Sequence, residues 1–345
     1  MNIIDQQLAT LPNGLRVLLR HTPSQVGIFG VAISAGSRDE APDRHGLAHF
    51  VEHTIFKGTA HRRAGHILNR METVGGELNA FTSKEETNVY SVFPAQHLPR
   101  AVELIADLLR NSLFPANELR KEREVVRDEI DSYLDSPSDA VFDDFENLLF
   151  AGSPLGHNIL GDSANLDRFT PEVCRRYIVD NYTPARMVAF YQGPLDPDKA
   201  MRLITRHFAD LPPTEELPDR TAPLPVAPFA EVNREIHSHQ SHTVMGVPVP
   251  GIHSPERHAL GLLTNILGGP GMNSRLNVAL RERRGLVYTV DANMTLFQDC
   301  GYMGIYFGCD PADTSRCIHL VNGELRRLTE SPLSPRALAA AKRQY

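Results

Sequence analysis

The stretch from residue 212 to 228 limits the fold of this chain more than any other. Six prolines (Pro212, Pro213, Pro218, Pro223, Pro225 and Pro228) stand there among acidic and small residues. Proline fixes φ and has no backbone N–H, so neither a helix nor a central strand can run through such a segment. It is expected to be a semi-rigid linker dividing the chain into residues 1–211 and 229–345. A length of 345 residues agrees with that division, because single cores rarely grow past about 250–300 residues.

The two parts follow one plan. NVYSVFPAQHLPRAVELIADLLRNSLFPANELRKERE starts at Asn88, and YMGIYFGCDPADTSRCIHLVNGELRRLTESPLSPRALAAAKRQ starts at Tyr302. Each reads as a strand rich in aromatic and β-branched residues, a polar turn, a long amphipathic helix, a proline-bearing break and a new helix. Matching Leu119 to Leu338 sets the register of the repeat. The predicted fold is therefore α+β: two related sandwich domains, each a mixed, mostly antiparallel sheet flanked by helices. The same register places the counterpart of Glu129 just past Tyr345. The repeat thus creates the expectation that the whole protein continues for about 80 further residues.

Composition removes several functional classes. A formal charge of −7 offers no electrostatic attraction to nucleic acid or an anionic membrane. No apolar run approaches the length of a membrane-spanning helix. No GxGxxG or GxxxxGK[ST] occurs, so a nucleotide site has no support. MNIIDQQLATLPNGLRVLL reads as the first strand of a domain and not as a secretory signal. Cys174, Cys300, Cys309 and Cys317 form no zinc-ribbon spacing. They are expected to be reduced thiols in a cytoplasmic protein.

The chemistry is concentrated in HGLAHFVEHTIFKGT, residues 45–59. Pro42 and Asp43 before it and Gly58 after it suit a helix start and stop. His49 and His53 are one helical turn apart, so their imidazoles share a face. Two imidazoles so placed can grip one Zn²⁺, and Glu52 beside them can hold the attacking water. Phe50, Val51 and Ile55 would anchor the other sides of the helix. By itself HxxEH is a weak pattern in a chain with 15 histidines.

A second, independent feature strengthens it. In LRKEREVVRDEIDSYLD, from Leu119, the residues Glu122, Val125, Val126, Glu129 and Tyr133 recur at helical spacing and form one stripe. Two glutamates share an apolar face, and buried carboxylates need a cation or strong donors. A zinc ion would meet that need; a solvated acidic helix edge is the competing reading.

With these residues in view, the chain resembles the pitrilysin/insulinase family of zinc metallopeptidases, the inverzincins, and especially its short two-domain processing-peptidase type. HFVEH at 49–53 is followed, well along the chain, by Glu122 and Glu129 on one predicted helix. NGLRVLL, GSRDE, ELNAFTSKEETNVY and, in the second part, LRERRGLVY carry the likeness along essentially the whole chain. The resemblance implies that His49, His53 and Glu129 bind one Zn²⁺ per chain on helices of the first domain. It implies further that Glu52 is the general base and that Glu122 orients a ligand from behind. Arg281 and Tyr288 would reach from the second, non-metal domain to the substrate carbonyl as donors. Asn79, Ala80 and Phe81 would form an edge strand along which a peptide substrate is laid. The implied activity is endopeptidase hydrolysis of oligopeptides or unfolded segments in a chamber between two domains. Homodimer and heterodimer with a related subunit both remain open.

Three other readings bear on these residues. His45, at i−4 from His49, has metal-binding spacing but lies at the helix start and is expected not to be a ligand. A structural zinc site would need a fourth Cys or His, which nothing nearby supplies. Non-catalytic partner subunits of the family usually lack HxxEH, which this chain has once, before the linker and not after it.

Overall fold

The computed structural model describes residues 6–214, 217, 220, 230–236 and 238–345. Pro212 and Pro213 lie outside helix and strand, while Pro218, Pro223, Pro225 and Pro228 of the expected linker fall outside the described residues.

The chain divides into two units, residues 1–131 with 157–219 and residues 132–156 with 220–345. The first is built on six strands: β1 (Gln6–Thr10), β2 (Arg16–His21), β3 (Val26–Ile33), β4 (Glu77–Thr82), β5 (Thr87–Pro94) and β6 (Met187–Gly193). Their order is β1-β2-β6-β3-β5-β4, and only β2 and β6 run parallel. This is the mixed, mostly antiparallel sheet that the sequence predicts. Its helices are α1 (Leu47–Thr54), α2 (Ala64–Glu72), α3 (Leu98–Asn111), α4 (Ala116–Leu134), α6 (Pro171–Asn181) and α7 (Pro197–Phe208), with α5 (Pro137–Leu149) interposed in sequence. Alternation puts Val17, Leu19, Phe29, Val31, Ile33, Val89 and Phe93 into the core. Helix α3 answers with Leu98, Val102, Leu104, Ile105 and Leu108 and packs on β3 beside α7. Phe29 meets Phe208 of α7 with ring centroids 6.4 Å apart.

The second unit holds β7 (Ser241–Pro250), β8 (Val287–Leu296) and β9 (Cys300–Cys309) in the antiparallel order β7-β9-β8. Helices α8 (Arg257–Gly268), α9 (Thr314–Glu330) and α10 (Pro335–Gln344) accompany them, with a π-helical turn at Asn277–Glu282. Leu267, Leu280, Ile305, Phe307 and Val321 form its core. The two units repeat one plan of elements. The series β3, α1, α2, β4, β5, α3, α4 recurs as β7, α8, the π turn, β8, β9, α9, α10. The local strand order β3-β5-β4 likewise recurs as β7-β9-β8. Helix α4 begins at Ala116 and α10 at Pro335, in the register set by Leu119 and Leu338.

One division is absent from the sequence reading. Helix α5 lies within the expected first domain, 1–211, yet packs on β7 and belongs to the second unit. The reason is aromatic burial. Phe142 faces Tyr306 and Phe145 faces Tyr302, each at 5.2 Å, and Phe150 meets Phe297 at 5.8 Å. Among the described residues, no helix is long and apolar enough to cross a membrane. The four cysteines are free thiols, with Cys174, Cys309 and Cys317 buried.

Candidate metal centre

Helix α1 is shorter than its flanking signals suggest. Pro42 and Asp43 form a separate 3₁₀ turn, and α1 begins after Gly46, which sits at φ +96° and offers no side-chain cap. Phe50, Val51 and Ile55 are fully buried as expected. That anchors the helix with His49, Glu52 and His53 on its remaining face.

The His49 and His53 rings lie edge to face, 4.5 Å between centroids. Glu129 reaches them from α4: its Oε1 is 3.7 Å from His49 Nε2 and its Oε2 3.3 Å from His53 Nε2. One ligand atom from each residue lies within 4.8 Å of the other two, a group able to hold a metal ion. The donor set suits zinc, which takes imidazole nitrogen and carboxylate oxygen and, with three protein ligands, keeps a position open. Burial, aided by the neighbouring His53, lowers the His49 pKa to about 3, so its imidazole is neutral and presents a lone pair.

Glu122 stands behind His53. Its Oε1 is 3.1 Å from His53 Nδ1, and its Oε2 is 2.7 Å from Lys57 Nζ. Burial works against ionisation of Glu122, but the bonds to His53 and Lys57 override it and hold the carboxyl below its ordinary range. Burial also opposes a charge on His53; the carboxylates of Glu122, Glu129 and Glu52 outweigh it and raise that pKa. A carboxylate on Nδ1 directs the other nitrogen, Nε2, toward Glu129 and His49. Lys57, which keeps Glu122 charged, escaped the sequence reading, although it lies in the same IFKGT segment.

Glu52 is largely buried, and burial raises its pKa, with Thr82 of β4 acting in the opposite direction. A raised pKa makes the carboxylate a stronger proton acceptor, the property a general base needs. Asn79, Ala80 and Phe81 lie on β4, the edge of the six-stranded sheet, with Asn79 and Phe81 exposed. Arg281 lies in the π-helical turn and is exposed. Tyr288 sits at a β-bulge between Val287 and Thr289 and is 80% exposed, so it is not a core aromatic. His45 stands apart from the metal group, stacked on His157 at 3.6 Å.

The α4 stripe needs one adjustment. Leu119, Glu122, Val126 and Ile130 are its buried residues, whereas Val125 and Tyr133 of the expected stripe are exposed. The face is rotated slightly, leaving Glu122 inside and Glu129 half-exposed at its rim.

Comparison with known proteins agrees with this fold. Residues 16–163 match the profile of the insulinase family (peptidase family M16), and residues 168–345 match that of the peptidase M16 inactive domain. An uncharacterized zinc protease of Streptomyces coelicolor is 34% identical over 94% of this chain and 72% of its own length. One of Bacillus subtilis is 32% identical over 97% of this chain and 81% of its own length. The mitochondrial-processing peptidase subunit beta of Bos taurus is 30% identical over 96% of this chain and 69% of its own. A crystal structure described as a peptidase M16 inactive domain from Pseudomonas fluorescens superposes with a TM-score of 0.90 at 21% identity. It covers 99% of this chain and 83% of that one, a likeness of fold. The chain therefore belongs to the insulinase family of peptidases, M16, with its HxxEH helix in the part that matches the family's insulinase profile.

Proposed function

We propose that this chain is a zinc-dependent endopeptidase that binds one Zn²⁺ through His49, His53 and Glu129 and cleaves oligopeptides or unfolded segments. The observation that carries this reading is the convergence of three ligand atoms within 4.8 Å, with Glu52 on the same helix as both histidines. Bound zinc supplies a Lewis acid that polarises the scissile carbonyl and lowers the pKa of water. Glu52 accepts the proton of the attacking water and passes it to the leaving amine. Glu122 holds His53 in orientation, and Lys57 balances the charge of Glu122. The exposed edge of β4 at Asn79, Ala80 and Phe81 accepts the peptide backbone as an added strand, a mode that tolerates many side chains. Arg281 and Tyr288 serve as donors to the substrate carbonyl oxygen when the two domains close around the peptide as a chamber. The active form is a dimer, of identical chains or with a related subunit.

Zinc analysis of Glu52→Gln, run beside a peptide digest, tests the assignment. The variant is expected to keep near-stoichiometric zinc while cleavage falls at least about a hundredfold, as for removal of a general base. Loss of zinc from Glu52→Gln, with activity recovered by adding the metal, would make Glu52 a ligand and sink the proposed roles.

A further inference from the structure

Glu40 is an acidic residue with its side chain wholly inside the protein. It lies in the GSRDE segment, shortly before Gly46, the N-cap of α1. Its Oε2 accepts from the N–H of Gly46 at 2.8 Å, and its Oε1 accepts from the N–H of Ala48 at 2.6 Å. Ala48 is the second residue of α1 and the immediate neighbour of His49. A helix N-terminus leaves amides without intrahelical partners, and the N-cap side chain normally serves one of them. Here the N-cap is Gly46, which has no side chain, and Glu40 meets that need from outside the helix.

The two ligand histidines of α1 are held by different means. His53 is oriented through Nδ1 by Glu122. His49 Nδ1 is buried and has no hydrogen-bond partner among the described residues. Its ring is therefore placed by packing and by the position of the α1 backbone, which Glu40 grips at the adjacent residue. Glu40 is itself firmly seated. In the same segment, Ser37 N–H bonds to the carbonyl of Ser83, Arg38 N–H bonds to that of Lys84, and Arg38 pairs with Glu85 at 2.6 Å. At Gly36 an added Cβ would stand 2.4 Å from the Ser83 carbonyl oxygen, so the strap lies directly on the turn between β4 and β5. On the other side His157 Nε2 is 3.4 Å from Glu40 Oε2, and His157 is stacked on His45.

We propose that Glu40 is a positioning residue for the metal centre: a remote cap that sets the first turn of α1, and with it His49, against the β4–β5 turn. The role rests on the reading of His49 as a metal ligand. Loss of both acceptors in Glu40→Ala lets the first turn of α1 shift or fray, and His49 moves relative to His53 and Glu129. Such a displacement changes metal affinity and ligand geometry, whereas a general loss of stability does not.

The test uses the full chain loaded with Co²⁺, whose visible absorption bands report ligand geometry, together with competition measurements of Zn²⁺ affinity. Wild type and His49→Ala come first: if wild type binds no metal, or His49→Ala binds it equally well, the ligand assignment itself is wrong. Given that binding, Glu40→Ala should weaken Zn²⁺ about 10–100-fold and alter the Co²⁺ bands, the range typical of losing an outer-shell support. Measured above about pH 8, where the wild-type carboxylate is ionised and accepts with both oxygens, Glu40→Gln, which can accept from one amide only, should fall between Glu40→Ala and wild type. Ile204→Ala, in the fully buried face of α7, is the control for lost stability and should leave both readouts unchanged. Should Glu40→Ala not fold, Glu40→Gln decides by the same spectra. Folded Glu40 variants with wild-type bands and affinity, or an equal change in Ile204→Ala, overturn the proposal.

Discussion

At the scale of single residues, Glu40 illustrates how burial and hydrogen bonding compete. Two backbone amides favour its carboxylate, yet burial is stronger and pushes its pKa up to about 8. Asp39 adds to the rise and Lys84 opposes it. In the unfolded chain the same group titrates near its ordinary 4.5. Between these values the folded state holds a proton that the unfolded state has released, so stability falls as pH rises. The contribution is complete below about pH 4.5 and is lost as pH passes through about 8. Chemical denaturation at several pH values is expected to show wild type losing stability relative to Glu40→Gln from pH 5 to 8, on the order of 1 kcal/mol per unit. Parallel pH curves for the two proteins would show that Glu40 ionises alike in both states.

At the scale of elements, the site is a crossing of two helices, α1 and α4, each with one job. Helix α1 supplies two imidazoles and a carboxylate because the i, i+3, i+4 spacing puts them on one face. Helix α4 brings two glutamates, two helical turns apart along the same side, at unequal depth. Glu122 is buried against His53 and Lys57, and Glu129 projects to the paired Nε2 atoms. The proposed roles of ligand for Glu129 and support for Glu122 follow this difference in depth. Zinc titrations of the two variants should find Glu129→Gln far weaker in binding than Glu122→Gln, whose loss stays within about 10–100-fold. Metal loss that tracks Glu122 and spares Glu129 would reverse the two roles.

At the scale of the whole molecule, the second unit completes its core with a segment placed by sequence among the residues of the first. Phe150 is buried in a cluster with Leu149, Leu155, Phe297 and Tyr302, all within that unit. Truncation of a buried phenylalanine to alanine costs about 3–5 kcal/mol, the sum of lost transfer energy and the cavity left behind. Hydrogen exchange of Phe150→Ala should accordingly show reduced protection in β9 and unchanged protection in β3. Loss of protection confined to β3 would return residues 132–156 to the first unit.

Local rules account for most of what was legible without coordinates. Helical spacing alone made the faces of α1 and α4 visible, because a 3.6-residue period is a property of the backbone and needs no partner. Strand–helix–helix order and the proline breaks made the duplicated α+β plan visible for the same reason, and the matching strand orders of the two sheets agree with it. The choice of Glu129 over Glu122 as ligand came from the family resemblance, since both lie on the predicted face. What only the tertiary structure decided was long-range pairing. Glu40 caps α1 across an intervening turn, Lys57 neutralises Glu122 from a separate stretch of chain, and α5 leaves its sequence neighbours for the sheet of the second unit. Such contacts have no period and no fixed spacing. They depend on which buried charge finds a partner and which aromatic face finds cover, and that is settled only when the chain is packed.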